Sequence, residues 1–378
     1  MSIFTTPLQF GYFTALLYAV LFWFRGYKEE RLSDTLMGFI MFFLAMEIQD
    51  YTFGFAGINI LWEELNGFPR YFHLAFAPTI YFYMRALTQR DFRFHKRHWL
   101  HYLPYAIYFL SNLLIFCMGK NAVLRIEKFR YEWNLYGLEY ILVYISYTYY
   151  FVLSLRLFRT YRTWIENYFS DIEAINLHWL RNFIYLIIAG EVFRLIWHLI
   201  DVIFDDLPFE QDWWWHLFTV LIILYVSIKA YRQHSQYGPH YFHQEESSIQ
   251  DSDPLTTDAA PQLQITDLDW QPLRDPLLRL FTEEKIYLNP NLSLGDLAMR
   301  LKSNTSVLSA LINQGFDKNF NDFVNEYRIE EFLINSKNPA NSHLTLLAIA
   351  LDSGFNSKST FNRAFKKKMG VSPKEFLS

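Results

Sequence analysis

Residues 344–373 read LTLLAIALDSGFNSKSTFNRAFKKKMGVSP, and the way this stretch folds sets the reading of the whole C-terminal third. Its opening is an apolar helix, Leu344 to Asp352. Ser353-Gly354-Phe355 ends that helix, because Gly354 suits the left-handed backbone position that closes a helical turn. Ser357 then stands where a hydroxyl caps a second helix, over residues 358–368. On that helix Lys358, Ser359, Asn362, Arg363 and Lys366 fall on one side, with Phe361, Ala364 and Phe365 turned inward. Two short helices joined by a tight turn make a helix-turn-helix, whose second member offers its N-terminal side chains to the major groove of DNA.

The same arrangement lies upstream. Leu277, Leu278, Leu280, Phe281 and Ile286 form the apolar face of a first helix that stops before Asn289-Pro290. Ser293 is placed to cap a helix carrying Leu294, Leu297, Ala298 and Leu301, an i, i+3, i+4, i+7 stripe. After a break at Lys302-Ser303, Asn304 caps another helix over residues 305–313. A longer helix with Phe323, Val324, Tyr327, Ile329, Phe332 and Leu333 bridges the two motifs.

Residues 294–298 with 308–312, then Ile349-Ala350, Gly354-Phe355, Phe361, Phe365-Lys366 and Gly370-Val371-Ser372-Pro373, resemble the double helix-turn-helix DNA-binding domain of AraC-type transcription regulators. The resemblance covers residues 273–378. It implies contact with two successive major grooves of double-stranded DNA, the long central helix setting the separation of the two recognition helices. Position by position it points to Thr305, Ser306, Ser309 and Asn313 in the first reader, and to Lys358, Ser359, Asn362 and Arg363 in the second. Three positions depart from the pattern: Ala310 stands where the family often has arginine, Asp317 where it often has glycine, and Leu377 where it often ends in arginine. The first half is therefore expected to read bases weakly.

These residue types suit the task. Arg363 can take guanine O6 and N7 together, Asn362 and Asn313 can take adenine N6 and N7, and Ser or Thr adapts to either. Lys366, Lys367 and Lys368 would neutralise phosphates, giving affinity without sequence information. For Lys367 and Lys368, a solvated cationic helix end favoured by the helix dipole fits equally well. Phe316 and Phe320 belong to the core.

Upstream of residue 273 the chain changes character. Of its 378 residues 52% are hydrophobic, 20% aromatic and only 19% charged, against about 25% charged in ordinary soluble domains. The net charge of −4 hides an asymmetry. Residues 1–231 hold 19 basic and 20 acidic side chains, residues 232–272 hold 1 and 7, and residues 273–378 hold 14 and 11. The acidity belongs to the middle piece, and the C-terminal piece is mildly basic.

Spanning a hydrocarbon layer as a helix takes roughly 20 mostly apolar residues. Seven stretches qualify: residues 4–24, 35–53, 71–87, 100–119, 135–158, 181–204 and 213–231. Trp and Tyr crowd their ends, as at Trp213-Trp214-Trp215, where such rings favour the headgroup layer. The first could be a secretory signal, but its apolar run is too long and lacks a small-residue cleavage site. Loops one, three and five, counted with Arg156 and Arg181 at the edges of their spans, carry 11 Lys and Arg residues, loops two, four and six carry 5. Basic loops stay in the cytoplasm, so the N-terminus is expected outside and the C-terminus inside, in the bacterial inner membrane. Loop four, with Lys120, Arg125, Lys128 and Arg130, dissents. The expected fold is all-α: a seven-helix transmembrane bundle followed by a cytoplasmic double helix-turn-helix.

A charge in hydrocarbon costs at least about 2.5–3.5 kcal/mol unless it faces protein or water, so ionisable residues within the spans attract interest. Glu47 and Asp50 lie in the second span, Arg85 near the end of the third and Glu139 near the start of the fifth. Glu191, Arg194, His198 and Asp201 share one face of the sixth. Glu47, Asp50, Glu191, Arg194, His198 and Asp201 are candidates for sensing a signal; the plainer alternative is an interhelical salt-bridge seam. His95, His98 and His101 have helical spacing, but Arg93, Lys96 and Arg97 beside them favour lipid phosphates over a metal cation. Lys229 is too shallow for a retinal Schiff base. No Ser/His/Asp array, HExxH, phosphate loop or kinase signature occurs, and the single cysteine, Cys117, excludes an intramolecular disulfide and cysteine-based metal centres. Neither enzyme activity, cofactor nor metal is expected.

Residues 232–272 are acidic and proline-punctuated, with too little apolar surface to form a core. As a flexible linker they would reach about 35 Å. Soluble AraC-type proteins commonly carry a small-barrel effector domain before the DNA-binding part; here the spans take its place. The combination implies a one-component regulator whose partners are double-stranded DNA, the lipid bilayer, an unknown small-molecule or membrane signal, and a second copy of the chain in a homodimer. The alternative is a transporter- or receptor-like protein whose C-terminal domain docks a protein partner.

Overall fold

A computed structural model describes residues 4–89, 92–133, 135–173, 175–204, 212–236 and 271–376. The protein is all-helical: among the described residues no strand forms, only an isolated bridge between Phe169 and Ser293. The chain divides into two compact units, Met1–Arg159 with Leu177–His243, and Thr160–Asn176 with Gln244–Ser378. Most of residues 232–272, expected as a linker, lies outside the described residues.

The first unit holds α1 (Thr5–Lys28), α2 (Leu32–Phe55), the single turn α3 (Ile60–Glu63), α4 (His73–Thr88), α5 (Leu103–Cys117), α6 (Lys120–Glu132), most of α7 (Leu135–Tyr168), α8 (His178–Phe204) and α9 (Trp213–Gln236). Helix α2 packs against α1, α4 and α9, and α1 also against α9, with Leu8, Ala15, Met37, Ile40, Ile80 and Ile223 buried among the core residues. Outward-facing side chains include Phe13, Leu17, Val20, Leu114, Ile141 and Ile145. So large an apolar exterior needs a partner other than water.

Among the described residues, five of the seven expected spans are helices long and apolar enough to cross a membrane: Thr5–Lys28, Leu32–Phe55, Lys96–Cys117, Leu135–Tyr168 and Trp213–Arg232. The third expected span is α4, only 16 residues long and buried along most of its length. The sixth, α8, has 27 residues and carries Glu191 and Arg194; the side chains of residues 198, 199 and 201–204 lie outside the described residues. The fifth runs past its expected end at residue 158, since no Gly or Pro interrupts residues 156–168 and Arg162 Nε bonds Glu166 Oε1 one turn on, at 2.9 Å. Expected loop four is itself mostly helix: its cations sit on α6, where Arg130 Nη1 donates to Asn112 Oδ1 at 2.8 Å.

The second unit contains the end of α7, the segment 169–176, α10 (Gln271–Thr282), α11 (Leu294–Leu301), α12 (Thr305–Gly315), α13 (Phe320–Lys337), α14 (Leu346–Asp352), α15 (Lys358–Met369) and α16 (Pro373–Phe376). The expected caps form. Ser293 and Asp296 make a reciprocal capping box on α11, Asn304 Oδ1 accepts from Val307 N on α12, and Ser357 Oγ accepts from Thr360 N on α15. Two cores result. Leu277, Phe281, Leu297, Leu308, Leu311 and Phe323 fill the first, and Ile329, Phe332, Ile349, Phe355, Phe361 and Phe365 the second. Helix α13 gives its first half to one core and its second half to the other.

Arg328, 0% exposed, sits on α13 where the two cores meet. Its Nε donates to Tyr287 O at 2.8 Å and its Nη2 to Asn289 O at 2.8 Å. Gly354 closes the same joint from the other side. Its φ is +94°, and a Cβ there would stand 2.5 Å from Tyr287 O. Only glycine meets both demands.

Candidate DNA-reading surface and polar cavity

On α15 the structure separates the side chains as the sequence suggests. Lys358, Ser359, Asn362, Arg363 and Lys366 are exposed, while Thr360, Phe361 and Phe365 are buried. On α12 the corresponding Thr305, Ser306, Ser309 and Asn313 are half-buried. Asn313 Nδ2 donates to Ser309 Oγ at 3.2 Å, so part of that face's hydrogen-bonding capacity is turned on itself. Lys367 Nζ binds both carboxylate oxygens of Asp322, at 2.7 and 2.6 Å. Lys368 Nζ lies 3.3 Å from Glu326 and 2.7 Å from Glu330. Both lysines therefore tie α15 to α13.

Residues 169–173, 175 and 176 pack onto the same domain. Ser170 is fully buried; its N and its Oγ both donate to Leu292 O, at 3.2 and 2.6 Å. Its carbonyl accepts from Asn321 Nδ2 at 2.7 Å and its Oγ from Arg328 Nη2 at 3.1 Å. Asp171 Oδ1 accepts from Thr360 Oγ1 at 3.3 Å, near the N-terminus of α15. Glu173 Oε2 lies 3.2 Å from Arg363 Nη1, both side chains about 40% exposed; an exposed pair of this kind contributes only about 0.2–1 kcal/mol. Ile172 and Ile175 are buried, and Tyr161 OH donates to Ile175 O at 2.9 Å. Nothing local in the sequence marked this segment, since its partners lie more than 100 residues away in the chain.

Residues 297–378 match the family model described as a helix-turn-helix domain. This segment is an AraC-type DNA-binding domain. No curated protein and no solved structure matches the chain. Within this AraC-type domain, the departure at Asp317 has a conformational meaning. Its φ is +54°, the left-handed region that glycine occupies without cost and that aspartate tolerates better than most residues.

In the first unit, the polar residues of α2 and α8 meet those flanking α4. His73 Nδ1 is 3.3 Å from Glu47 Oε2, and Arg194 Nη2 is 2.6 Å from Glu191 Oε2 and, through Nη1, 4.0 Å from Glu47 Oε1. Asp50 takes a two-pronged contact from Arg70 at 2.8 and 2.9 Å and a hydrogen bond from Tyr71 OH. Next to them Tyr51 OH donates to Asp212 Oδ2 at 2.6 Å, and its ring stacks on His216 at 3.7 Å. A cavity of about 570 Å³ opens among these groups, with Glu47, Asp50, Arg70, His73, Arg194 and His216 in its wall. His216 is buried and its Nδ1 has no hydrogen-bond partner among the described residues.

Sequence reasoning found Glu47, Asp50, Glu191 and Arg194, which the structure places in one neighbourhood; the side chains of His198 and Asp201 lie outside the described residues. It missed Arg70, Tyr71, His73, Asp212 and His216. In the sequence Arg70 reads as the single cation of loop two, and Tyr71 and His216 stand among the aromatic residues of span ends. His95, His98 and His101 do not converge on one point. His95 and His98 cap a helical turn reciprocally, and His101 Nδ1 pairs with Tyr150 OH at 2.7 Å.

Proposed function

We propose that the protein is a membrane-embedded one-component transcription regulator. Helices α12 and α15 contact successive major grooves of double-stranded DNA, α15 supplying most of the affinity through Lys358, Arg363 and Lys366. The carrying observation is the division of α15, with Asn362, Arg363 and the lysines outward and Phe361 and Phe365 locked in the core: a rigid helix that presents a base-reading arginine and phosphate-binding cations. The apolar helices of the first unit seat the protein in the bacterial inner membrane with seven crossings, the N-terminus outside and the DNA-binding domain in the cytoplasm. The polar cavity lined by Glu47, Asp50 and Arg194, with Glu191 bonded to Arg194, receives the signal, a small polar molecule or a change in the membrane; by sequence spacing His198 and Asp201 belong to the same sensing set. Such a signal acts only by binding two arrangements of the bundle unequally. A homodimer would raise the local concentration of DNA-binding domains at a repeated site.

Gel-shift titration of the full-length protein in lipid nanodiscs tests the DNA reading: sequence-selective binding that weakens steeply with salt is expected. No binding at low salt overturns it. For the cavity, replacing Glu191 and Arg194 together by Gln and Met is expected to change promoter output at equal membrane abundance, and unchanged output leaves those residues a purely structural role. A reporter active only in the periplasm, fused after Ser378, is expected to stay silent; a signal from it contradicts the proposed topology.

A further inference from the structure

The DNA-binding domain holds, against its own recognition helix, a stretch of chain that belongs in sequence to the junction of α7 and α8. We propose that residues 169–173 are an internal stopper: Ser170 anchors the segment beside Arg328, Asp171 and Glu173 occupy α15 where DNA would lie, and full grip on DNA requires their withdrawal. This inference rests on the reading of α15 as the DNA-contacting helix.

Three observations carry it. The anchor is a built site, because a fully buried Ser170 has its N–H, hydroxyl and carbonyl all engaged, by Leu292, Asn321 and Arg328. Chance apposition of a loop does not satisfy every polar group it buries. The second observation is chemical. Asp171 bonds Thr360 in the first turn of α15 and Glu173 pairs with Arg363, so two carboxylates stand at a helix N-terminus and on its arginine, the positions a DNA phosphate and a base edge would claim. An acidic segment seated there both occupies Arg363 and repels the polyanion. The third is the strength of each contact. The Glu173–Arg363 pair is exposed and weak, whereas the Ser170 anchor is buried, so the contacts on the reader yield first and the anchor gives way last.

Connectivity supplies the control. Helix α7 is unbroken from Leu135 to Tyr168, and α8 begins at His178, so the stopper is joined at one end to a helix that runs on from the first unit and is followed at the other by a helix of that unit. A shift or rotation of either helix pulls directly on Ser170, without needing the long segment after α9 to transmit it.

The test uses the full-length protein in lipid nanodiscs and a labelled mixed-sequence duplex of about three helical turns. The charge-neutral, near-isosteric D171N/E173Q variant is expected to bind about tenfold more tightly than wild type at the same salt; unchanged or weaker binding overturns the stopper. Arg363→Ala added to that variant separates the two readings. It is expected to weaken binding, and if it does not, the assignment of α15 fails rather than the stopper alone. Hydrogen exchange on the unmodified protein gives a check free of mutations. With DNA bound, the amide of Ser170, which donates to Leu292 O, is expected to lose protection while α15 gains it. Protection of both together contradicts withdrawal.

Discussion

The two helix-turn-helix halves are built alike and equipped differently. In each, a capped short helix meets a capped recognition helix over an apolar core. Yet α12 offers four uncharged, half-buried side chains, and α15 offers exposed Lys358, Arg363 and Lys366. Similar backbones can thus divide the labour under the proposed reading, in which the first half would fix register and the second would supply charge and base contact. The half with the charge is also the one that Asp171 and Glu173 contact, so under the proposal restraint falls where affinity is made.

Removing the joint between the halves gives the largest expected effect. Arg328→Met strands the carbonyls of Tyr287 and Asn289 and leaves Ser170 without its guanidinium partner, costing about 3–5 kcal/mol; proteolytic resistance of residues 271–376 in urea measures it. Loss confined to one half would show that the two cores stand independently. Gly354→Ala strains the same joint through its positive φ and the Cβ approach to Tyr287 O, with about 2–4 kcal/mol expected in the same assay.

For DNA, Arg363→Ala in the D171N/E173Q background is expected to cost about 1–3 kcal/mol of affinity, and Asn313→Ala in α12 under about 1 kcal/mol. Equal effects from the two would erase the proposed division of labour. The smallest effect concerns acid. Part-burial of Glu331 acts to raise its carboxyl, but hydrogen bonds from Lys285 Nζ and Tyr287 OH outweigh this and hold it below the usual glutamate range. A depressed acid stabilises fully above its unfolded value of about 4.3, and that contribution disappears as pH falls through the folded value. Wild type is therefore expected to lose urea resistance below about pH 4.3 more steeply than Glu331→Gln, which starts less stable at neutral pH. Parallel acid profiles would count against this pair.

Local chemistry was legible in the sequence. Ser293, Asn304 and Ser357 cap the helices expected of them, and Gly354 takes the left-handed turn, because each of these choices is made within three or four residues. The stripes on α11 and α15 likewise gave their buried faces. What escaped depends on distant partners. The length of α7 was masked by Arg156, Arg159 and Arg162, which read as a loop although arginine is a good helix former. The docking of Ser170 on Leu292 and Asn321 left no local trace. In the polar cavity, the carboxylates on α2 stood out against their apolar surroundings, whereas Arg70 and His216 did not, since a cation at a span end and a histidine among tryptophans each have an ordinary explanation.

Genome-wide mapping of crosslinked DNA with the full-length protein in its own membrane tests the central claim most directly. Discrete promoter sites, lost when Arg363 is replaced by Ala at equal protein abundance, are the expected result. An even background, identical in the wild type and the variant, would contradict the account of a regulator that reads DNA through α15.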